Sequence, residues 1–490
     1  MLNNVEHRTN EIAQRLGEKK LIVVSNREPY IHSYVGEEIK CSTPASGLVT
    51  ALEPVVSACG GTWIAHGSGD ADREVVDDEG KILVPPGEAC YTLKRVWLSK
   101  EEEEGYYYGF ANRGLWPLCH LTYTRPRFDE REWQAYKDVN RKFANAVLEE
   151  IGSDSALVFI QDYHFALLPR MLKEERPELV VAQFWHIPWP NPEGFRICPW
   201  GEEILDGLLG NDLLGFHIPY YCNNFLSTVE RRLEAVEDYE NFSVLRQGHK
   251  TFVRPFPISV DCQSMSEQSK SPEVLADAER LRQTLGLRDQ LIGIGVDRVD
   301  YTKGIPERFL AIDRFLEKYP QYHKRFTFLQ VGPMSRIQIP EYQALNDELY
   351  HLMVNINRKH GADRWVPIHI LKANYPRKEL LSFFRLADVC IVSSLHDGMN
   401  LVAKEFVSTC RDDSVLILSE FTGAARELSE AIIINPYYID GFADAIKIAL
   451  EMPAEEKERR MCRMRQVVLE NDVYNWATRV FTEMSHLSSE

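Results

Sequence analysis

Several features that would place a protein in a specialised class are absent from this sequence. No stretch of about 18 consecutive apolar residues occurs, which excludes a membrane-spanning helix. The 10 cysteines form no CxxC pair and no cluster with histidine, so neither a zinc site nor a disulfide framework is indicated. No Gly-x-Gly-x-x-Gly follows the first predicted strand, which argues against a nicotinamide-dependent dehydrogenase. The sequence also contains no repeats and no low-complexity segment.

Basic residues are fewer than acidic residues in this sequence. The 56 lysines and arginines are outnumbered by 73 acidic residues, which gives a net charge of −17. This balance argues against nucleic acid or a membrane as partner. Anionic substrates would need arginine and lysine concentrated locally. Because the polar N-terminus lacks the apolar segment of a signal peptide, we expect a cytoplasmic protein whose cysteines are small buried hydrophobes.

The length and rhythm of the chain predict two domains. At 490 residues the chain exceeds what one core usually serves. Apolar runs alternate with helical patterns in both halves, which predicts parallel sheets with helices on both faces. Two prolines and a shift in composition at 254–258 mark a boundary. We predict an N-terminal domain over 1–257, a C-terminal domain over 258–475, and a last helix, 476–490, that packs back toward the N-terminal domain.

The stretch 396–405 (HDGMNLVAKE) combines a turn with the start of a helix. It follows an apolar strand at 389–393, and Asn400 is a plausible helix N-cap. Gly398 lets backbone amides approach a phosphate without a Cβ in the way, and free amides at a helix N-terminus attract anions. Glu405 could accept hydrogen bonds from a ribose diol. The alternative is an ordinary Asp-Gly turn before a helix.

A second candidate anion site follows the strand predicted at 291–296. Arg298 and Lys303 lie five residues apart on a strand-to-helix loop, where two cations can flank a diphosphate. The alternative is a surface loop in which they pair with Asp297 and Asp300.

Candidate sugar-binding residues are found in the first half. Arg27 follows a buried strand, where open α/β sheets bind ligands. The polar segment 28–46 is long for a loop and is typical of a lid. The aromatic segment 106–117 is either core or a loop that contacts sugar faces. Asp162 and His186 end successive strands, so parallel pairing would bring them together for hydrogen bonds to hydroxyls.

Six motifs occur in the order of one known family. They are VVSNR at 23–27, LWP at 115–117, DYH at 162–164, HIP at 186–188, DRVDYTKGIPERFL at 297–310 and DGMNLVAKEF at 397–406. The chain thereby resembles the α,α-trehalose-phosphate synthases from about residue 21 to about residue 476. The resemblance implies an α/β, GT-B fold, in which two doubly wound, Rossmann-like domains face each other across a cleft. It also implies transfer of glucose from UDP-glucose to glucose 6-phosphate with retention at the anomeric carbon.

The resemblance also implies roles for single residues. Those implied for catalysis are Arg298, Lys303, His186 and Asp397. Those implied for the donor are Gly47 in a mobile loop, Arg298, Lys303, Asp397, Gly398, Met399, Asn400, Leu401 and Glu405. Those implied for the acceptor are Arg27, Tyr107, Trp116, Asp162 and Arg336. No metal and no cofactor are implied, because cations and helix amides neutralise the leaving group, and a homo-oligomer is a family-level expectation.

Two positions depart from the family pattern. Ser46 replaces a glycine before Gly47, and His66 replaces the tryptophan usual at a strand end. Both lie near the implied acceptor site, so another phosphorylated polyol, such as glycerol 3-phosphate, stays open as acceptor. A non-catalytic regulatory subunit would lack some of the charged site residues, yet Arg298, Lys303, Asp397 and Glu405 are all present. The choice between UDP, GDP and ADP also stays open.

Overall fold

The computed structural model describes residues 12, 14, 17, 19–43, 47–287 and 290–488. The chain divides into two compact units, Met1–Pro257 with Val473–Glu490, and Ile258–Asp472. Residues 1–18, for which the sequence predicts a short amphipathic helix or a frayed lead-in, lie largely outside the described residues. In the described part of the chain, no helix is long and apolar enough to cross a membrane.

The first unit contains one large sheet and a separate two-stranded sheet. Its strands are β1 Lys20–Arg27, β2 Ile31–Val35, β3 Glu38–Ser42, β4 Thr62–His66, β5 Lys81–Val84, β6 Tyr91–Val96, β7 Ala156–Gln161, β8 Val180–Phe184, β9 Leu213–Phe216, β10 Val236–Asp238, β11 Ser243–Arg246 and β12 His249–Pro255. Its α-helices are α1 Gly47–Cys59, α2 Lys100–Glu103, α3 Trp116–His120, α4 Glu130–Ile151, α5 Leu168–Glu175, α6 Pro192–Phe195, α7 Gly201–Leu208, α8 Pro219–Arg232 and, from the end of the chain, α17 Val473–Leu487.

This ten-stranded sheet runs in the order β10-β11-β12-β9-β8-β7-β1-β4-β6-β5. The strands from β12 to β6 pair in parallel, and antiparallel strands close both edges. The strand order reverses between β1 and β7, because the chain builds outward on both sides of β1. Doubly wound sheets bind ligands beyond the carboxyl ends of the strands at such a reversal. Arg27 and Asp162 lie at those two strand ends.

One prediction for this unit was wrong in its local structure, and one of the two open alternatives for the aromatic segment is excluded. The segment expected to be a lid loop, 28–46, contains the antiparallel hairpin of β2 and β3. The aromatic segment is not a loop: Glu104–Leu115 is a π-helix that continues into α3. Gly105 and Gly109 allow this helix to lie close to α4. A Cβ at Gly105 would lie 2.6 Å from Ala135 Cβ, and one at Gly109 would lie 2.7 Å from Glu132. The helix therefore packs too closely on α4 for larger residues.

The last helix packs within the first unit. Phe481 of α17 lies edge-on to Phe159 of β7 with ring centroids 5.5 Å apart, and Trp476 lies edge-on to Phe184 of β8 at 5.2 Å. All four side chains are buried. The aromatic residues of α17 thus complete the core on one face of the central strands.

The second unit is a smaller doubly wound sheet. Its strands are β13 Leu291–Val296, β14 Phe326–Val331, β15 Ile368–Leu371, β16 Val389–Val392, β17 Val415–Ser419 and β18 Ile432–Ile434. Its α-helices are α9 Cys262–Ser269, α10 Pro272–Thr284, α11 Ile305–Lys318, α12 Pro340–His360, α13 Arg377–Leu386, α14 Leu401–Thr409, α15 Ile439–Glu451 and α16 Ala454–Glu470.

All six strands of this sheet are parallel, in the order β15-β14-β13-β16-β17-β18. The order reverses between β13 and β16, as in a Rossmann fold. The loop with Arg298 follows β13, and the loop with Asp397 follows β16. The topology therefore brings the two candidate anion sites of the sequence to one place in the second unit.

Candidate active site

The loops after β13 and β16 are fastened to each other. Ser393 Oγ donates to the carbonyl oxygen of Gly304 at 2.8 Å, and the amide of Leu395 donates to the carbonyl oxygen of Thr302 at 2.8 Å. Gly304 has φ +59°, and a Cβ there would lie 2.2 Å from the carbonyl oxygen of Ser393. Only glycine allows this close approach, so it fixes the spacing of the two loops.

The loop after β16 presents free amides at the start of α14. Asn400 caps this helix: it takes a left-handed conformation, φ 74°, and its Oδ1 accepts from the amide of Ala403 at 3.2 Å. The backbone N–H groups of Gly398, Met399 and Asn400 donate to no other described residue. Free amides before a helix attract anions, which is the property on which the predicted phosphate site rests.

The ammonium group of Lys303 contacts a carboxylate that lies 94 positions further along the chain. Its Nζ donates to Asp397 Oδ2 at 2.6 Å, and Ser394 Oγ and Asn400 Nδ2 donate to the same oxygen at 3.2 and 3.1 Å. Burial alone would lower the pKa of Lys303, but the charges of Asp397 and Asp297 raise it. Lys303 is therefore positively charged at the anion site.

The alternative in which the two cations pair with Asp297 and Asp300 is wrong for this loop. Asp297 pairs with buried Arg308 at 2.8 Å, and Asp300 pairs with Arg336 at 3.4 Å. Arg298 is half-buried and forms no hydrogen bond or ion pair with any described residue. The guanidinium of Arg298 thus retains its full capacity to bind an anion.

Glu405 lies one helical turn beyond these amides. It is half-buried on α14, and burial raises the pKa of its carboxyl to about 7, while the positive charge of Arg377 acts in the opposite direction. A carboxylate with such a pKa ionises near neutral pH and then accepts hydrogen bonds strongly.

Arg336 is held by two partners that sequence analysis did not find. Its side chain is only 5% exposed, and its Nη1 lies 2.5 Å from the hydroxyl of Tyr342 and 3.4 Å from Asp300 Oδ2. The Tyr342 hydroxyl donates to the same Asp300 oxygen at 3.1 Å. Arg336 therefore belongs to a buried ionic triad within the second unit.

In the first unit, the implied acceptor residues form two groups around β1 and β7. Arg27 is exposed, and its Nη2 donates to the hydroxyl of Tyr107 at 3.4 Å. Tyr107 stacks on His164 with ring centroids 5.7 Å apart. The second group contains buried Trp116, which packs against Tyr163 at 5.8 Å.

Asp162 and His186 meet as parallel pairing predicted. Asp162 has φ 71° and its Oδ1 accepts from the amides of Tyr163 at 2.9 Å and His186 at 3.1 Å. Burial holds the pKa of His186 well below its ordinary value, and its Nε2 lies 3.0 Å from Gln161 Oε1. Gln161 was not singled out from the sequence, although it immediately precedes Asp162.

Of the two departures from the family pattern, only His66 lies among the described residues. His66 ends β4 and is the register partner of Arg27 in β1, with its Nδ1 3.2 Å from the carbonyl oxygen of Val96. Gly47 is the first residue of α1, and Ser46 lies outside the described residues.

Among the described residues, no group of three or more His, Cys, Asp or Glu side chains is arranged to hold a metal ion. The polar groups at both strand-order reversals are instead cations, amides and hydrogen-bonding side chains.

Comparisons with known proteins extend over almost the whole chain. The model of glycosyltransferase family 20 matches residues 19–486. The trehalose-6-phosphate synthase of Mycolicibacterium vanbaalenii is 39% identical over 474 residues, which cover 94% of this chain and 95% of that relative.

Solved structures give the same result. A structure from E. coli, described as trehalose-6-phosphate bound with UDP-2-fluoro glucose, matches with TM-score 0.85 and 31% identity over 95% of this chain and 99% of that one. An α,α-trehalose-phosphate synthase (UDP-forming) from Burkholderia xenovorans in complex with glucose-6-phosphate matches with TM-score 0.84 and 28% identity over 95% and 99%. These matches and the two doubly wound sheets confirm the predicted GT-B fold class.

Proposed function

The chain belongs to glycosyltransferase family 20, and on that premise we propose that it transfers glucose from UDP-glucose to glucose 6-phosphate. The products are α,α-trehalose 6-phosphate and UDP. The observation that carries the proposal is at the start of α14 in the second unit, where Lys303 contacts the loop that presents three free amides, and Arg298 lies on the same loop as Lys303. A nucleoside diphosphate has the charge and the length to use all of these donors.

The donor contacts follow from the chemistry of each group. We propose that Arg298 and Lys303 bind the diphosphate and neutralise the negative charge that grows on it as the glycosidic bond breaks. The amides from Gly398 to Leu401, including that of Met399 and the Asn400 cap, bind the same phosphates. Glu405 accepts from the ribose diol, and Asp397 accepts from a glucose hydroxyl. Gly47, which the resemblance implies for the donor, is proposed to contact it as well.

The proposed reaction is a displacement at one face of the sugar. The acceptor hydroxyl oxygen bonds to the anomeric carbon, the bond from that carbon to the UDP oxygen breaks, and the hydroxyl proton passes to the leaving phosphate. Attack from the face that UDP leaves retains the anomeric configuration. Such a site acts by positioning and by charge stabilisation, without a carboxylate nucleophile.

The acceptor contacts are proposed for the first unit. Arg27 is exposed and bears a charge suited to a phosphate, and Tyr107, Trp116 and Asp162 present aromatic faces and a carboxylate to the sugar. The resemblance also implies Arg336 for the acceptor phosphate, and its side chain is paired with Asp300 and Tyr342 within the second unit. The proposal assigns no metal and no cofactor.

One observation keeps a second acceptor open. His66 is the register partner of Arg27, and it replaces the tryptophan expected there. Glycerol 3-phosphate is smaller than glucose 6-phosphate and carries the same phosphate, so it is the competing acceptor.

The proposed location is the cytoplasm. All 10 cysteines are free thiols, 6 of them buried, which is usual for a protein kept in a reducing compartment. A homo-oligomer stays an expectation of the family resemblance.

The test is to purify the protein, to follow UDP release from UDP-glucose with each acceptor, and to identify the products by NMR. We expect turnover with glucose 6-phosphate and an α,α-linked disaccharide phosphate. Turnover with glycerol 3-phosphate alone would reassign the acceptor. No turnover with either, together with UDP-glucose binding, would contradict both assignments.

A further inference from the structure

A hydrogen bond within the first unit singles out Gln161. This residue ends β7, is 1% exposed, and places its Oε1 3.0 Å from Nε2 of His186. An amide oxygen accepts hydrogen bonds and cannot donate them. The contact therefore requires a proton on Nε2 of the His186 ring.

His186 carries only one ring proton. Burial, followed by the nearby rings of His217 and His164, holds the pKa of His186 well below its ordinary value, so the imidazole is neutral near pH 7. In a neutral imidazole the proton lies on one nitrogen and the other nitrogen is an acceptor. With the proton on Nε2, the acceptor is Nδ1. In the described part of the chain, Nδ1 of His186 has no hydrogen-bond partner.

The rest of His186 is already fixed. Its amide donates to Asp162 Oδ1 at 3.1 Å, and its carbonyl oxygen accepts from Nε2 of His217 at 2.9 Å. Its ring lies edge-on to Phe184 with centroids 4.6 Å apart. These contacts orient the ring but do not select its tautomer, which leaves that selection to Gln161.

We propose that Gln161 is a positioning residue that keeps the proton of His186 on Nε2 and so presents Nδ1 as a hydrogen-bond acceptor for a sugar hydroxyl. The inference rests on the proposed glucosyl transfer, in which His186, implied for catalysis by the family resemblance, contacts the transferred glucose. It adds the direction of the hydrogen bond: the sugar donates and the protein accepts.

The direct test is histidine NMR on the full-length protein. Protein labelled with ¹⁵N-histidine reports which ring nitrogen carries the proton, and the His186→Asn variant identifies the His186 signals. We expect the proton on Nε2 in the wild type. In Gln161→Met, which keeps the length of the side chain, we expect this preference to be lost. In Gln161→Glu the carboxylate still accepts, so Nε2 stays protonated.

A matched control is Gln183→Met. Gln183 is equally buried on the neighbouring strand β8, and its Nε2 donates to the carbonyl oxygen of Asp162 at 2.9 Å without touching the His186 ring. We expect the His186 tautomer to be unchanged in this variant. A proton on Nδ1 in the wild type, or an unchanged tautomer in folded Gln161→Met, would overturn the inference.

Kinetics separate positioning from simple damage to the fold. Misplacing a site residue by about 1 Å can cost about a hundredfold in rate. We expect a loss of that size in kcat of Gln161→Met, with an unfolding midpoint like that of Gln183→Met. An active wild type with the proton on Nδ1 contradicts the inference alone. An inactive wild type with the proton on Nε2 contradicts the proposed function. It thereby also contradicts a sugar hydroxyl as the hydrogen-bond donor to Nδ1.

Discussion

Each unit contains a cluster of charged side chains, beside β1, β4 and β6 in the first unit and at the strand-order reversal in the second, but the clusters differ in which groups pair with their charges. In the first unit, Arg95 donates to Glu28 Oε2 at 2.7 Å and lies 2.8 Å from Asp72 Oδ1, and all three side chains are 0% exposed. In the second unit, Lys303 has one carboxylate partner, and Arg298 is half-buried with no ion pair to a described residue.

Hydrogen bonds from the protein itself satisfy the carboxylates of the first cluster. The amide and hydroxyl of Ser68 donate to Glu28 Oε1, and the amides of His32 and Gly69 donate to Asp72. The cluster thereby fastens the base of the β2–β3 hairpin to the loop after β4. A buried ionic cluster with all its partners supplied by the protein is structural, whereas one with spare cations is suited to bind an anion. The following experiments challenge that distinction.

The largest expected effect is on stability, from Arg95→Met. This change leaves two buried carboxylates without their cation, and breaking a buried pair costs about 3–5 kcal/mol. Urea unfolding followed by tryptophan fluorescence measures the loss, because of the nine tryptophans only Trp365 belongs to the second unit. Arg196→Met is the control in the same unit, since its pair with Glu193 is exposed and should contribute less than about 1 kcal/mol. Equal losses in the two variants would contradict the structural role of the cluster.

The next effect is on activity, from Arg298→Ala. Removing one group that stabilises transition-state charge costs about 10²–10³ in kcat. Because Arg298 has no ion pair to a described residue, we expect the free energy of unfolding to change by less than about 0.5 kcal/mol. Steady-state kinetics and urea unfolding on the same preparation measure both.

Arg308→Met provides the opposite case within the same unit. Arg308 is 0% exposed and binds Asp297, Ser393 and Gln330, so its loss should destabilise the second unit strongly. If Arg298→Ala proved as destabilising as Arg308→Met, Arg298 would have to stabilise the fold of the second unit.

A smaller effect is expected from Glu405→Gln on donor affinity. The pKa of Glu405 is about 7 in the free protein, and the ribose hydroxyls donate to the ionised form. UDP-glucose affinity should therefore rise as pH increases through 7 and level off above it. The amide variant should bind roughly tenfold more weakly, since a hydrogen bond to a charged group contributes about 1.5–3 kcal/mol. Calorimetric titration between pH 6 and 8.5 measures both, and a pH slope that persists in Glu405→Gln would assign it to another group.

The fold was largely predictable because buried parallel strands are apolar on both faces. Strands such as β7, β8 and β14 are buried along their whole length, so they stand out as continuous apolar runs. The hairpin was missed because β3 is exposed throughout and polar. The π-helix was missed because its glycines disfavour a helix locally, and its packing on α4 outweighs that preference.

The site was predictable in its positions and less so in its pairings. Motif residues at strand ends could be placed, since topology brings those ends together, as with Asp162 and His186. The partners of Lys303 and Arg336 could not be predicted, because spacing within the loop favoured Asp297 and Asp300 as partners of the loop's own cations. In the fold, Lys303 pairs with Asp397 and Arg336 pairs with Asp300. Which carboxylate a cation meets depends on three-dimensional packing, and the sequence offers several candidates.

The smallest expected effect is on the pH dependence of stability and comes from Glu28, which is compared with Glu405. Burial and Asp72 raise the pKa of Glu28 to about 7, although Ser68 and Arg95 act in the opposite direction. The folded protein then holds a proton that the unfolded chain releases near pH 4.5. Stability from this proton is complete below that pH and is lost as the pH rises through 7. His32 acts oppositely, since burial lowers its pKa and its protonation in the unfolded chain favours unfolding at low pH.

The difference between wild type and Glu28→Gln isolates the Glu28 contribution, because His32 is common to both. Urea unfolding from pH 5 to pH 8 should show a decline of the order of 1 kcal/mol in the wild type that the variant lacks. UDP-glucose affinity should keep its pH dependence in Glu28→Gln and lose it in Glu405→Gln. Two carboxyls with the same pKa would then affect different measurements, stability in one unit and ligand binding in the other. If Glu28→Gln changed donor affinity instead, the first cluster would not be purely structural.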